Sequence, residues 1–174
     1  MKRKSFAAMC IMTACFAMTA CGNSSQNTTA GGVNNESQIE NGSKYVFETS
    51  GYSVKVNAKI SECLEKLGEP KGGTYEVKSC AFDGMDKFYY YGAYTIQGYQ
   101  KDNEDLVYSV TFMDDTVKTP EGVRLGDSKD KMTSAYGSSF NQDGEQYIYT
   151  SGNTKLIFVL KNDVIENIIY ELNQ

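Results

Sequence analysis

The sequence predicts an α+β protein of two tandem units, each a short helix followed by an antiparallel β-meander, with the helices packed on one face of a curved sheet. Three observations lead there. Ile60, Cys63, Leu64 and Leu67 fall at i, i+3, i+4 and i+7, one face of a short helix, whereas the stretches that follow are aromatic and β-branched. The same order then returns: aligning Gly68 with Gly137 places Val54 on Val123, Val56 on Leu125, Cys63 on Met132 and Leu67 on Tyr136, all at one offset. Finally, one such unit alone is too small to bury a good core, so two are expected to share a continuous sheet.

The first segment is of another kind. Lys2-Arg3-Lys4 is a positive cluster, and Phe6 to Met18 carries no charge. That run is shorter than the roughly 20 residues a spanning helix needs and fits the apolar part of a signal peptide covering residues 1–20. Met18-Thr19-Ala20-Cys21 resembles the lipobox of bacterial lipoproteins, with Met18 where Leu is usual. The resemblance implies that the Cys21 thiol takes a diacylglycerol and that the chain is cut just before it. Each buried CH2 of such an anchor contributes about 0.8 kcal/mol, so two or three acyl chains would hold the protein stably on a membrane. The expected location is the extracytoplasmic face of the cell membrane, lipid-anchored.

Charge limits the partners. Removal of Lys2, Arg3 and Lys4 with the signal leaves 14 basic residues against 22 acidic ones, a net charge of −8. Such a chain repels phosphates, so no nucleic acid is expected as a partner. There is no His, which removes the commonest general base and the commonest transition-metal ligand.

Residues 21–43 comprise the lipid-bearing Cys21 and a stretch from Gly22 to Ser43 that is almost entirely Gly, Asn, Ser, Thr and Gln with a few Ala, Glu, Val and Ile, without apolar period. They cannot bury enough surface to offset chain entropy and read as a flexible tether reaching roughly 25 Å.

The first unit spans 44–119. Tyr52 to Val56 alternates and reads as extended, Asn57 can cap the helix, and Gly68 and Pro70 stop it. Strand signals follow at Tyr75 to Phe82, Phe88 to Tyr99 and Leu106 to Met113, with turns at Asp83-Gly84 and Asp102-Asn103. The joint contains Pro120, and the second unit spans 120–174. Asp127 or Ser128 can cap a helix carrying Met132, Ala135 and Tyr136, which Gly137 ends. Strands are expected at Glu145 to Thr150, Thr154 to Leu160 and Val164 to Leu172, with turns at 151–153 and 161–163.

Three runs, Ser79 to Gly84, Asp114 to Gly122 and Gly126 to Asp130, resemble a group of small lipoproteins of Gram-positive anaerobes. The duplicated layout also resembles the β-lactamase inhibitor protein, a BLIP-like fold, and more loosely envelope-assembly lipoproteins. In the inhibitor family a concave sheet face grips another protein, and each repeat holds a disulfide between roughly the helix and the next strand. By that resemblance Cys63 and Cys80 could pair in an extracytoplasmic setting. Cys63 equally suits a small buried hydrophobe on the apolar helix face.

The candidate binding face comes from the tyrosines. Phe88, Tyr90, Tyr94 and Ile96 are assigned to the core, with Leu106, Tyr108, Val110 and Phe112 continuing it. The opposite face then presents Tyr89, Tyr91 and Tyr99, with Tyr147 and Tyr149 paired similarly in the second unit. Tyr brings large contact area at small entropic cost. The acidic pairs Asp114-Asp115, Asp83 with Asp86, and Asp127 with Asp130 lack calcium-loop spacing and suit turns and caps. No P-loop, dinucleotide glycines, GxSxG or CxxC is present, so no enzyme, metal or cofactor is predicted. The expected role is a membrane-anchored module that binds a protein or another envelope macromolecule, the alternatives being an envelope scaffold or an inhibitor of a secreted enzyme.

Overall fold

Strand-forming side chains fill most of the chain after Lys44, and they decide the architecture. The computed structural model describes residues 42–174. The expected signal segment, Cys21 and most of the expected tether lie outside the described residues. The elements run β1 (Phe47–Thr49), β2 (Tyr52–Val54), α1 (Ile60–Leu67), β3 (Thr74–Lys78), β4 (Met85–Tyr90), β5 (Tyr94–Lys101) and β6 (Glu104–Phe112). They continue with α2 (Lys129–Tyr136), β7 (Asn141–Asp143), β8 (Gln146–Ser151), β9 (Thr154–Lys161) and β10 (Val164–Leu172).

The expected α+β architecture of two helix-plus-meander units is corrected. The protein is mostly β, built on one eight-stranded antiparallel sheet of order β3-β4-β5-β6-β10-β9-β8-β7, with a separate two-stranded ribbon, β1-β2. The reason is one of size. Each helix has eight residues, about 12 Å of length. Helix α1 fully buries Ile60 and Cys63, and α2 only Met132. Two such pieces do not make a helical layer. The two meanders also do not remain separate units, because β6 and β10 pair directly at their centre, Val110 opposite Tyr170.

Local chemistry explains the boundaries. Ser128 caps α2 by accepting a hydrogen bond from the Lys131 amide on its side chain. At α1 the cap position is Lys59, with no side-chain bond, and Asn57 stands two residues earlier at φ 64°. Gly68 and Gly137 end the helices at φ 76° and 82°, a region closed to most side chains. The hairpins at Asp102-Asn103 and Asn162-Asp163 have positive φ at both turn residues, as two-residue hairpin turns require.

One core lies on one face of the sheet. It joins Tyr89, Ile96, Val110, Tyr170, Leu156 and Tyr149, a row running from β4 to β8, with Ile60, Cys63 and Met132 of the helices. Phe47 of the ribbon plugs this core. It is fully buried, with its ring 4.8 Å from Tyr94 and 5.1 Å from Phe112. Among the described residues the core cluster runs from Tyr45 to Tyr170.

Candidate functional site

The core cluster occupies one face of the sheet; the opposite face, termed the open face, lies outside that cluster, with Thr95, Ser109 and Ile157 buried near its middle. Antiparallel register sets what that open face carries, because residues directly opposite share a side. One row runs Tyr90, Thr95, Thr111, Ile169, Ile157, Ile148, Asn141 across seven strands. The next runs Tyr75, Phe88, Gln97, Ser109, Glu171, Lys155, Thr150. The first row carries no charge; Tyr90, Thr111, Ile169 and Ile148 are half-buried, and Thr95 and Ile157 are buried. At the β3 edge Tyr75 is 56% exposed and Val77 40%. In the second row Lys155 meets Glu171 at 3.5 Å.

The expected aromatic face is largely corrected. A hairpin at Tyr91-Gly92-Ala93 separates β4 from β5, closed by the Tyr91 amide donating to the Tyr94 carbonyl at 3.0 Å. A single strand from Phe88 to Tyr99 would keep Tyr90 and Tyr94 on one face; the hairpin instead sets Tyr90 opposite Thr95 and Tyr89 opposite Ile96. Tyr89 therefore belongs to the core, at 7% exposure. Phe88 and Tyr90, assigned to the core from sequence, lie on the open face. Tyr147 and Tyr149 are also core residues.

Tyr91 has a structural task. It stacks on Tyr94 with centroids 5.1 Å apart, and its hydroxyl donates to the Gly68 carbonyl at 2.9 Å. In the second half Tyr149 does the same at the other helix, donating to the Gly137 carbonyl at 2.6 Å. Each phenol satisfies a carbonyl that the helix end leaves without a partner. Burial pushes both phenols up to about 12.

Tyr99 alone of the three candidates lies on the open side, on the same face as Gln97, yet it is buried at 4% exposure. Phe82, from the loop between β3 and β4, covers it with ring centroids 4.6 Å apart, and meets Tyr108 edge-on at 5.2 Å. Tyr108 is the extra residue of a bulge, since Gln97 pairs with Ser109 and Gly98 with Val107. The loop is held in shape by Ser79, whose hydroxyl accepts from the amides of Ala81 and Phe82 at 3.2 and 3.0 Å. These aromatic side chains border a cleft of about 810 Å³ at the end of the open face. Phe82 and Tyr99 line it together with Asn57, Gln100, Asn103, Asn153 and Asn173, and the charges there are Asp83, Lys101 and Asp102. Sequence reading missed this site because it carried the strand from Tyr75 on to Phe82, whereas β3 ends at Lys78 and Phe82 lies in the following loop, and because it read Asn57 as a helix cap and Asn103 and Asn153 as turn residues.

Cys63 is buried on α1 and Cys80 is exposed beyond β3; both are free thiols, so of the two readings the buried hydrophobe describes Cys63 and the disulfide is not formed. Burial raises the Cys63 thiol above its ordinary value. The acidic residues have local tasks. Asp114 accepts from the Thr116 amide at 2.9 Å, and Asp127 accepts from the Arg124 amide at 2.8 Å and pairs with Lys131 at 2.7 Å. Among the described residues no group of three or more His, Cys, Asp or Glu side chains converges to hold a metal, and no helix is long and apolar enough to cross a membrane.

No family model matches this chain, and no curated protein matches it. Among solved structures it is similar to an extracellular protein containing an SCP domain from Bacillus anthracis strain Ames, with 15% identity and a TM-score of 0.54. The match covers 75% of this chain and 49% of that one, so the chain spans about half of that protein. At this identity the likeness concerns the fold.

Proposed function

We propose that this chain is a lipid-anchored, extracytoplasmic binding module of the cell envelope, held by Cys21 and binding another macromolecule through the open face of its sheet. The observation that carries the reading is that face: a seven-strand row without charge, from Tyr90 to Asn141, lying outside the core that ribbon and helices cover, with Tyr90, Thr111, Ile169 and Ile148 half-buried around the buried Thr95 and Ile157. A sheet that buries one face on a core and offers the other, half-apolar face to its surroundings has the make-up of an interface. The acidic tally of 22 Asp and Glu against 17 Lys and Arg weighs against a polyanionic partner.

The test uses residues 44–174 immobilised beside a variant carrying Ile148→Lys and Ile169→Lys, with thermal melting to verify that both fold. Solubilised envelope and culture extract are passed over each. A component retained by the parent and lost from the folded variant supports the module and its face. Equal retention by both moves the binding surface elsewhere, and retention of nothing by either counts against a binding module. For the anchor, metabolic labelling with a radioactive fatty acid is expected to mark the full chain and not Cys21→Ser; an unlabelled parent overturns it.

A further inference from the structure

We infer that the cleft at the end of the open face is a binding site for a neutral oligosaccharide, an inference that rests on the binding-module reading and names the ligand for one part of it. The chemistry starts with the floor. Phe82, half-buried at the cleft and backed by the buried Tyr99 ring 4.6 Å away, gives an aromatic surface at the mouth of the sheet. A pyranose ring offers a flat face of C–H groups to such a surface and turns its hydroxyls outward. The hydroxyls need partners that both donate and accept, which is what a side-chain amide provides.

The rim supplies those partners. Asn57, Gln100, Asn103 and Asn153 line the same cleft. Asn57 spends its Oδ1 on the Tyr99 hydroxyl, which orients its amide NH2. The volume of about 810 Å³ suits two to four sugar rings lying in an open groove.

Charge argues against other ligands. The cleft holds one basic side chain, Lys101, against Asp83 and Asp102. An anionic glycan, a phosphate or a nucleotide would meet net repulsion there. A peptide strand would need an unpaired sheet edge, and the edges β3 and β7 lie at the far ends of the strand order from the paired β5, β6 and β10. The site is also built in advance. Gly84, at φ 102°, lets the loop turn against Gln100, where a Cβ would stand 2.4 Å from Oε1. Thus the loop that carries Phe82 packs closely against the Gln100 side chain, with room there only for glycine at position 84.

The experiment titrates residues 44–174 by calorimetry with the tetrasaccharides of N-acetylglucosamine and of β-1,4-linked glucose, with a heparin tetrasaccharide as the anionic control. Side-chain amide signals are followed by NMR. At least one neutral tetrasaccharide is expected to bind, with the amide signals of Gln100 and Asn103 shifting. Phe82→Ala is expected to weaken it about tenfold or more. Phe82→Leu keeps the apolar packing without the ring and is expected to lose affinity too, which covers the case in which the Ala variant fails to fold. Lys66→Ala, exposed on α1 and away from both the open face and the cleft, is expected to leave affinity unchanged. Absence of binding by both neutral probes at about 10 mM, binding of heparin alone, or affinity unchanged in both Phe82 variants overturns the assignment. If an envelope component is still lost with Ile148→Lys and Ile169→Lys while no sugar binds, the module reading stands and the glycan assignment falls alone.

Discussion

The Tyr99 hydroxyl donates a 2.8 Å hydrogen bond to Asn57 Oδ1, across 42 positions of sequence. It ties the middle sheet to the segment that leads into α1. Tyr99→Phe removes this bond and leaves the ring and its contact with Phe82. The expected loss is about 0.5–1.5 kcal/mol of unfolding free energy, with an unchanged denaturant slope, measured by urea titration. No loss would mean that Asn57 finds an equal partner in water.

Phe47 is a stronger case. Its ribbon has only three residues in each strand, yet its ring meets Tyr94, Phe112 and Tyr170. Phe47→Ala is expected to cost about 3–5 kcal/mol, most of the stability of an ordinary domain. Urea denaturation checks it. A loss near 1 kcal/mol would show that the ribbon closes over the gap, on the order of a partly collapsed cavity.

The two thiols of residues 44–174 should separate cleanly. Cys80 is exposed and Cys63 is fully buried. Burial also holds the Cys63 thiol protonated, and the thiolate is the reactive form. A thiol reagent near neutral pH is expected to label Cys80 alone in the folded protein and both residues in denaturant, read by mass spectrometry. Failure to label Cys80 after reduction, or equal labelling of both without denaturant, refutes this arrangement.

Alkali should weaken the fold through its phenols. Desolvation pushes Tyr52, Tyr91 and Tyr149 from the usual value near 10 up to about 12. A raised folded value means that the folded state keeps protons the unfolded chain releases. The associated stability is therefore fully present below pH 10 and is lost as pH rises toward about 12. Urea midpoints measured across that window are expected to fall, together with delayed phenolate absorbance. A flat midpoint across the window contradicts it.

Acid acts at Asp127. Burial opposes its charge, but the Lys131 ammonium and the Arg124 amide outweigh that and hold its carboxyl below the ordinary value. A depressed folded value contributes stability above the unfolded value and loses it as pH falls through the folded one. Asp127→Asn is expected to be less stable than the parent at neutral pH, with the gap closing in acid. A gap independent of pH would assign the effect to packing.

Much of the β-structure was legible because its signals are local. The strands from 145 to 172 and the short helices after Lys59 and Ser128 follow from alternation, capping and glycine stops, which act over a few residues. The Tyr face was not legible, and the reason is one residue. Gly92, inside an unbroken aromatic run, marks a hairpin rather than a kink, and period two makes a wrongly placed turn move side chains to the opposite face. Strand β7 was missed because Asn141-Gln142-Asp143 has no strand propensity and is held only by pairing with β8.

By itself the sequence determined the composition of the protein's parts: a basic cluster and an uncharged run before Cys21, a polar stretch up to Ser43, and a strand-rich remainder with two short helical patterns and no histidine. These are properties of neighbouring residues, and neighbours are what a sequence displays. Only the tertiary structure decided that β6 and β10 fuse two meanders into one sheet, that Tyr89 turns inward while Phe88 and Tyr90 turn out, and that Phe82 closes over Tyr99 to floor a cleft. Those outcomes depend on register and on which apolar surface finds cover, and both are settled by contacts between residues far apart in the chain.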